Sequence, residues 1–190
     1  MYTLSQAKEL INLARNSIEA SFTGEKVKLP CKFKEKRGVF VTLAESGKLR
    51  GCVGFPYPTH PLEQAVAEAA KSSAFQDIRF PQLTKFELDK IKIELSILTV
   101  PKLAKPEGIK IGKDGIICNY QGRSGLLLPQ VAVEWKMSRE EFLDALCEKA
   151  FLPKGTWKEK DFKLYNFQAQ IFKEDKAGKV IEEKLKEKEK

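Results

Sequence analysis

The sequence has 190 residues and a formal net charge of +8, and 42% of its residues are hydrophobic. A chain of this length forms one large domain or two small ones and buries roughly 70% of its unfolded surface, which excludes a small fold that depends on disulfides or metal. The composition also excludes a mostly disordered chain, and no apolar run reaches the roughly 18–20 residues of a membrane span. Because the first residues lack a basic and then apolar leader, we expect a soluble protein of the cytoplasm.

The first half of the chain predicts a helix, a hairpin, a second helix and a strand. Apolar residues recur with helical spacing over residues 3–20. Residues 39–43 and 49–53 predict the two strands of a hairpin, joined by a turn that contains glycine. A second helix is expected from Pro61, because proline suits the first helical position. Strict alternation of apolar and polar residues predicts a strand over residues 90–100.

The second half predicts another hairpin, a helix and a last strand. Residues 115–120 and 125–128 have the pattern of hairpin strands, and Ser138 begins a capping box that predicts a helix. Residues 162–172 alternate and predict a strand, and the charged residues 180–190 predict a helical or frayed tail. Hairpins and helices that do not alternate strictly indicate an α+β fold.

The basic residues are concentrated in one segment before the first predicted strand. Six bases and one acid lie between residues 26 and 37. Such a segment attracts a phosphate backbone, and a solvated surface of a Lys- and Glu-rich chain, a composition typical of thermophiles, is the alternative interpretation. The candidate nucleic-acid residues are Lys26, Lys28, Lys32, Lys34, Lys36 and Arg37.

The four cysteines do not have the spacing of a metal site. They stand at positions 31, 52, 118 and 147, none in a Cys-x-x-Cys pair, and the one histidine is His60. A structural zinc site uses four converging ligands, usually in close pairs. We therefore predict no metal and no cofactor, and we expect reduced cysteines.

One predicted strand carries a candidate for chemistry. In the strand 49–53 the side chains alternate between faces, so Arg50 and Cys52 are expected on the same face. A guanidinium beside a thiol stabilises the thiolate and lowers the pKa of the thiol. Gly51 and Gly54 lack side chains and would let a ligand approach the backbone.

A second group of polar residues is expected near Cys52. Glu94 and Ser96 lie on the polar face of the strand 90–100, and Asp77 and Arg79 stand two residues apart in the loop before it. If the two strands share a sheet, these groups line one surface. The alternatives are a buried cysteine and purely structural ion pairs, Arg50 with Glu94 and Asp77 with Arg79.

These residues also carry a resemblance to a known family. The run Leu49-Arg50-Gly51-Cys52-Val53-Gly54, followed by Pro61-Leu62 and by Asp77-Ile78-Arg79-Phe80-Pro81, resembles the AMMECR family. The similarity continues through Glu94 to Leu98 and Phe142 to Ala150 and ends near Trp157. The Lys- and Glu-rich chain is similar to archaeal members. Asp114 stands where many relatives have histidine, so a histidine role there is not implied.

The resemblance implies an α+β fold of two unequal sub-domains with a cleft between them, and no established reaction. We expect a larger sub-domain, residues 1–102 with 161–190, and a smaller one, residues 103–160, each a mainly antiparallel sheet with helices. Bacterial and archaeal relatives are often encoded with, or fused to, a Memo-type protein and a radical-SAM protein. This association implies a modification pathway with these proteins as partners.

Three hypotheses for function follow, and whether the protein is an enzyme stays open. The first is an enzyme, or an enzyme component, that acts on a small anionic ligand in the cleft, with Cys52 as nucleophile and Glu94 or Asp77 as acid/base. Its predicted ligand-binding residues are Arg50, Gly51, Gly54, Arg79 and Ser96. The second is a factor that binds RNA or DNA in transcription, repair or translation. The third is a scaffold that binds a partner protein.

Overall fold

The computed structural model describes residues 1–184, which form two compact units. The first unit consists of Met1–Leu98 with Gln170–Glu183, and the second contains Thr99–Ala169. Each unit has its own hydrophobic core. The sub-domain limits at residues 102 and 160, and the cleft, stay predictions.

The first unit is built on three antiparallel strands and two long helices. In chain order these are α1 (Leu4–Thr23), β1 (Val39–Glu45), β2 (Lys48–Phe55), α2 (Leu62–Phe75) and β3 (Ile91–Leu98). The strand β1 lies in the middle and pairs with both β2 and β3. A single 3-10 turn, Lys85–Glu87, stands between α2 and β3.

The first helix has the boundaries that its capping residues dictate. The Thr3 hydroxyl accepts a hydrogen bond from the Gln6 N–H at 3.3 Å, and the Gln6 side chain accepts one from the Thr3 N–H at 2.9 Å. The helix ends at Gly24, whose φ of 75° lies in the left-handed region that favours glycine. The predicted helix over residues 3–20 is therefore present and one turn longer.

The two helices cover one face of the three strands. Their apolar stripes pack with alternate residues of β1 and β3 in one buried cluster. The strand residues of this cluster are Val39, Val41, Leu43, Ile91, Ile93, Leu95 and Ile97. Burial of an Ile, Leu or Val side chain is worth about 1.5–3 kcal/mol, so this face fixes the register of the sheet. The opposite face carries the polar positions.

The second unit repeats the combination of hairpin and helix. Its strands are β4 (Lys102–Leu103), β5 (Asp114–Tyr120), β6 (Arg123–Leu127) and the first part of β7 (Lys163–Glu174), and its helices are α3 (Pro129–Glu134) and α4 (Arg139–Lys149). The strand β5 pairs with β6 and β7, and β4 pairs with β7. The predicted capping box at Ser138 is present, and α4 buries Phe142, Leu143, Leu146 and Cys147.

The last described element corrects one prediction. Residues Val180–Glu183 form a strand, β8, which pairs antiparallel with the end of β7, and not the helical or frayed tail expected from their charge. Glu182 and Glu183 accept hydrogen bonds from Gln170 and Lys173, so charged residues that look solvated in the sequence bind across the ladder. The remainder of the predicted tail, residues 185–190, lies outside the described residues.

The α+β class predicted from the sequence is confirmed, with antiparallel pairing between the strands and four α-helices among residues 1–184. Over the same residues no helix combines the length and the apolar character that crossing a membrane requires.

Candidate functional site

The hexapeptide Leu49–Gly54 lies in β2, and a bulge inside it changes the expected directions of its side chains. Leu43 of β1 is opposite Gly51, and Ala44 is opposite Leu49, so Arg50 is an extra residue without a partner on β1. A bulge interrupts the alternation of side chains along a strand. The expectation that Arg50 and Cys52 act together on one face assumed an uninterrupted strand.

Arg50 binds the segment that follows α2, here called the strap (residues 77–87). Its Nε donates to Glu87 Oε1 at 2.7 Å, and its Nη1 and Nη2 donate to the main-chain oxygens of Pro81 and Gln82 at 2.8 and 3.3 Å. The arginine lowers the pKa of Glu87 to about 2. The charge of Arg50 is therefore engaged in holding the strap, where Glu87 is its carboxylate partner.

Asp77 and Arg79 join the beginning of the strap to Cys52. Asp77 Oδ2 accepts a hydrogen bond from the Cys52 N–H at 2.8 Å, and Arg79 Nη2 donates to the Cys52 carbonyl at 3.2 Å. The two side chains also bind each other, with Arg79 Nη2 2.6 Å from Asp77 Oδ2. These bonds satisfy both main-chain groups of Cys52 that β1 does not use, which protects an edge strand.

The Arg79 guanidinium holds the pKa of Asp77 well below its usual range. Asp77 is thus a permanent carboxylate with four hydrogen bonds, from Cys52 and from the main chain and side chain of Arg79. A carboxylate in this state positions its partners and has no proton to give at neutral pH. The structural ion pair left open from the sequence, Asp77 with Arg79, is present.

The two glycines of the hexapeptide lie where neighbouring backbone leaves no room for a side chain. A Cβ on Gly51 would lie 2.1 Å from the Ser73 carbonyl oxygen of α2, and one on Gly54 would lie 2.2 Å from the Val39 carbonyl oxygen of β1. Both glycines are therefore required by close packing within the fold.

Close packing at Gly51 lets a serine of α2 enter the ladder between β1 and β2. Ser73 Oγ donates to the Val41 carbonyl at 2.7 Å and accepts from the Val53 N–H at 2.9 Å. This bridge could not be predicted from the sequence, because Ser73 has the spacing of an ordinary core position.

Three polar side chains form a row across the sheet, here called the cross-strand row. Thr42 of β1 is opposite Cys52 on β2 and opposite Glu94 on β3. Residues opposite one another point to the same face, with neighbouring Cβ atoms about 4.5–5.5 Å apart. Thr42 Oγ1 lies 3.2 Å from Cys52 Sγ. The predicted grouping of Cys52 with Glu94 on one face is thus present, with Thr42 between them.

The next row on the same face holds the other predicted residues. Phe40 of β1 is opposite Gly54 and Ser96. Ser96 is buried, and a Cβ on Gly54 would lie 2.6 Å from the Phe40 ring. The aromatic ring therefore occupies the space that the missing side chain of Gly54 leaves.

The Cys52 thiol has a raised pKa, not the lowered one expected from the sequence. Burial raises it most, the hydrogen bond from Thr42 and the charge of Arg79 lower it, and the charges of Glu94 and Asp77 raise it. The guanidinium that lowers the pKa is that of Arg79, whereas the guanidinium of Arg50 is bound to the strap. Cys52 is a neutral thiol at neutral pH.

The strap also exposes apolar side chains that sequence reasoning did not single out. Ile78 is 100% exposed and Phe86 is 88% exposed. The signal was the alternation Asp77-Ile78-Arg79: with both charged residues bound to Cys52, the residue between them points away. This alternation indicates the exposure of Ile78 only when the partners of Asp77 and Arg79 are known.

The basic segment is a separate surface of the first unit. Lys26, Lys28, Lys32, Lys34 and Lys36 are all exposed, and Arg37 is half-buried. No group of three or more His, Cys, Asp or Glu side chains within residues 1–184 could hold a metal ion.

Comparisons with known proteins agree with the residues that carry the resemblance. Protein MJ0810 of Methanocaldococcus jannaschii is 46% identical over 198 residues, which cover 97% of this chain and 98% of that protein. A protein of Methanocella arvoryzae is 45% identical over 197 residues, covering 97% of this chain and all of the relative.

A solved structure is similar as well. The crystal structure of the uncharacterized protein PH0010 from Pyrococcus horikoshii has a TM-score of 0.86 and 42% sequence identity, and the match covers 93% of this chain and 95% of that one. The family model described as AMMECR1 matches residues 11–172. With most of its length matched by that model and by these relatives, the chain belongs to the AMMECR1 family.

Proposed function

We propose that the first unit is a scaffold that binds a partner protein through the strap. The observation that carries this proposal is the exposure of Ile78 and Phe86, at 100% and 88%, on a segment that two ion pairs hold in place. Single apolar side chains scattered over a surface carry no such meaning, but two large ones on one segment that ion pairs hold in place support an interaction site.

The bonds along the strap support a surface that is formed before a partner arrives. Arg50 binds three strap residues, Asp77 and Arg79 bind β2, and Glu87 accepts hydrogen bonds from the Thr84 N–H and hydroxyl, both at 2.7 Å. A segment held in its bound conformation loses little entropy on association. Burial of the Ile78 and Phe86 side chains would each contribute about 1.5–3 kcal/mol.

The charges near the exposed side chains indicate the chemistry of the partner. Lys85 precedes Phe86 and Lys48 precedes the exposed Leu49, and both lysines are exposed, whereas beyond the strap the exposed Asp89 and Lys90 balance each other's charge. The two carboxylates of the strap, Asp77 and Glu87, are bound to arginines. The surface therefore suits a partner segment with apolar side chains flanked by carboxylates.

A photo-crosslinking residue in place of Phe86 tests the proposal. The control carries the same residue in place of Phe151, which is 85% exposed in the second unit. Purified Memo-type and radical-SAM proteins, the partners that the resemblance implies, are the first to test. We expect crosslinks from position 86 and not from position 151.

The captured protein must then bind the purified chain, and the variant I78S/F86S must weaken that binding. Loss of two buried apolar anchors should weaken it by at least about 100-fold, without loss of fold stability because both side chains are exposed in the free chain. Equal crosslinking from both positions, or unchanged affinity of I78S/F86S, would contradict the proposal.

The cross-strand row supports a second candidate, an enzyme or enzyme component acting on a small anionic ligand. Cys52 would be the nucleophile and Arg79, whose side chain is 53% exposed, the anion contact. Glu94 is two strand spacings, roughly 9–10 Å, from Cys52. Glu94 would be the base that takes the thiol proton, while the Thr42 hydroxyl donates to the sulfur.

Alkylation with iodoacetate and iodoacetamide tests this candidate with known probes. The Cys52 sulfur forms a bond to carbon, the carbon–iodine bond breaks, iodide leaves and the thiol proton is released. If Arg79 binds the anion, the ratio of the iodoacetate rate to the iodoacetamide rate should be higher at Cys52 than at Cys31. R79Q should abolish this difference, and R79K should keep it. Absence of alkylation at Cys52, while the exposed Cys31 reacts and the buried Cys118 and Cys147 stay unmodified, would rule the candidate out.

The cytoplasm is the compartment that we propose for either activity. All four cysteines are free thiols. A reducing compartment keeps them so, and both the nucleophile and the core cysteines depend on that state.

A further inference from the structure

The basic segment has one face inside and one face outside, and it bends at Cys31, whose φ is 57°. Val27 and Leu29 are half-buried and Phe33 is 3% exposed, and all three contact the core of the first unit. The lysines alternate with them and are all exposed. These five side chains, here called the lysine row, are Lys26, Lys28, Lys32, Lys34 and Lys36.

The backbone that carries the second part of the lysine row is held by α2. The Glu63 side chain is 5% exposed, and its Oε2 accepts hydrogen bonds from the N–H groups of Lys32 and Phe33 at 3.1 and 3.2 Å. The main chain of Glu35 accepts a hydrogen bond from the Leu62 N–H at 3.0 Å. Lys32, Lys34 and Lys36 therefore extend from a fixed line and not from a loose loop.

Tyr2, near the N-terminus, also binds the backbone segment that carries these lysines, through the side chain of Glu35. The Tyr2 hydroxyl donates to Glu35 Oε1 at 2.6 Å, and burial together with the Glu35 carboxylate raises the pKa of Tyr2 to about 12. Tyr2 thus stays a donor, and the acid of the basic segment is already occupied. Lys32 contacts Glu9 at 2.9 Å, but both side chains are largely exposed, so this pair is weak.

A groove of about 520 Å³ adjoins the first part of the lysine row. It lies between the C-terminal end of α1, residues 24–29 and α2, with Lys26 and Lys71 among its lining residues. Apolar surface comes from Ala20, Val27 and Ala67, and polar groups come from Ser21, Gln64 and Glu68. Binding sites for small organic groups span about 300–1,000 Å³ and combine these two kinds of lining.

We propose that this surface binds single-stranded nucleic acid, with phosphates along the lysine row and a base in the groove. Residues two apart are at most about 7 Å apart, so Lys26 with Lys28, and Lys32 with Lys34 and Lys36, offer two short lines of cations to the phosphates of one strand. A base can enter a groove only from an unpaired strand, whereas a duplex keeps its bases stacked inside. This surface is separate from the strap, so the two proposals stand or fall independently.

Fluorescence anisotropy of the full chain with a labelled oligonucleotide of about 16 nucleotides tests the proposal. Five lysine–phosphate contacts predict a slope of log K against log salt of about −3.5 for a single strand, which is roughly a 100-fold loss of affinity between about 50 and 200 mM salt. A duplex of the same sequence should bind at least tenfold more weakly.

Two variants of equal charge separate location from net charge. K28Q/K32Q/K34Q/K36Q removes four lysines of the row, and K102Q/K105Q/K113Q/K160Q removes four exposed lysines of the second unit. Each lowers the formal net charge of +8 by the same four units. We expect the first variant to reduce the slope to about −0.7 and the affinity more than tenfold, and the second to change both little.

A substitution in the groove tests the base contact. S21Y fills the groove, and S5Y places the same side chain at an exposed position of the same helix. We expect S21Y alone to weaken single-strand binding about tenfold without changing the salt slope. Equal binding of the duplex, equal effects of the two lysine variants, unchanged binding by S21Y, or binding to anionic phosphatidylserine vesicles but not to oligonucleotides would each overturn the proposal.

Discussion

Replacement of Asp77 by asparagine is the sharpest test of the bonds between the strap and β2. The substitution keeps the shape of the side chain but removes its charge and one of its two acceptor oxygens. Asp77 accepts four hydrogen bonds, two from the Arg79 side chain, one from the Arg79 N–H and one from the Cys52 N–H. The amide nitrogen of asparagine would face donors on at least one side.

The expected loss of stability follows from the burial of each partner. Hydrogen bonds to charged groups are worth about 1.5–3 kcal/mol, but the Arg79 side chain is 53% exposed, so its share is reduced by solvent. The bond to the Cys52 N–H is better shielded, because the Asp77 side chain is 5% exposed. We expect D77N to lower the free energy of unfolding by about 3 kcal/mol, or Tm by roughly 6–12 °C.

Urea unfolding at several pH values measures this loss and its origin. The folded pKa of Asp77 is lowered, so its contribution is complete above its unfolded pKa of about 3.9 and is lost as the pH falls towards the folded value. The difference between wild type and D77N should stay constant at pH 5–8 and shrink by about 1.4 kcal/mol per pH unit below about pH 4. The control D89N, at an exposed position, should change stability by less than about 0.5 kcal/mol. A D77N variant as stable as wild type, or a difference that grows on acidification, would refute the reasoning.

Three further substitutions test the packing and the thiol. G51A should lower the free energy of unfolding in urea by about 1–3 kcal/mol, because its Cβ would meet the Ser73 carbonyl. G108A, which has open space around it, should leave this free energy unchanged. S73A should lower the same free energy by about 1–3 kcal/mol, because the Val41 carbonyl and the Val53 N–H both lose the serine hydroxyl as a partner. T42V should raise the pKa of Cys52 further and slow its alkylation at neutral pH several-fold, measured by mass spectrometry; faster alkylation would contradict the assignment.

The elements of the fold that depend on local pattern could be predicted from the sequence. The capping boxes at Thr3 and Ser138 fix the start of α1 and α4, and alternation fixes β3, because these signals involve residues close in sequence. The strand β8 could not be predicted, since its four residues include two acids and its stability comes from pairing with β7. Charged residues in the sequence indicate a solvated segment, and the partners of Glu182 and Glu183 become known only from the pairing of β8 with β7.

The residues of the candidate site could be predicted better than their contacts. The face shared by Cys52 and Glu94 follows from alternation, but the bulge at Arg50 has no local signal and sends its guanidinium to the strap. The neighbouring arginine in the sequence predicts a lowered pKa for Cys52. Burial has the largest effect on this pKa and raises it, and burial cannot be seen in the sequence because it is a property of the packed fold. The exposure of Ile78 has the same kind of cause, since it depends on bonds made by its neighbours.

Most residues of the hexapeptide have a structural role, so the side chain that remains available for a chemical function is the Cys52 thiol. Arg50 binds the strap, Gly51 admits α2, Gly54 admits β1, and the main chain of Cys52 holds Asp77 and Arg79. None of these tasks uses the Cys52 thiol. A C52A variant keeps every main-chain bond to the strap and loses only the sulfur, whereas D77N weakens the bonds between Cys52 and the beginning of the strap and keeps the sulfur. Loss of partner binding in D77N but not in C52A would therefore favour the scaffold, and the opposite result would favour chemistry at the thiol.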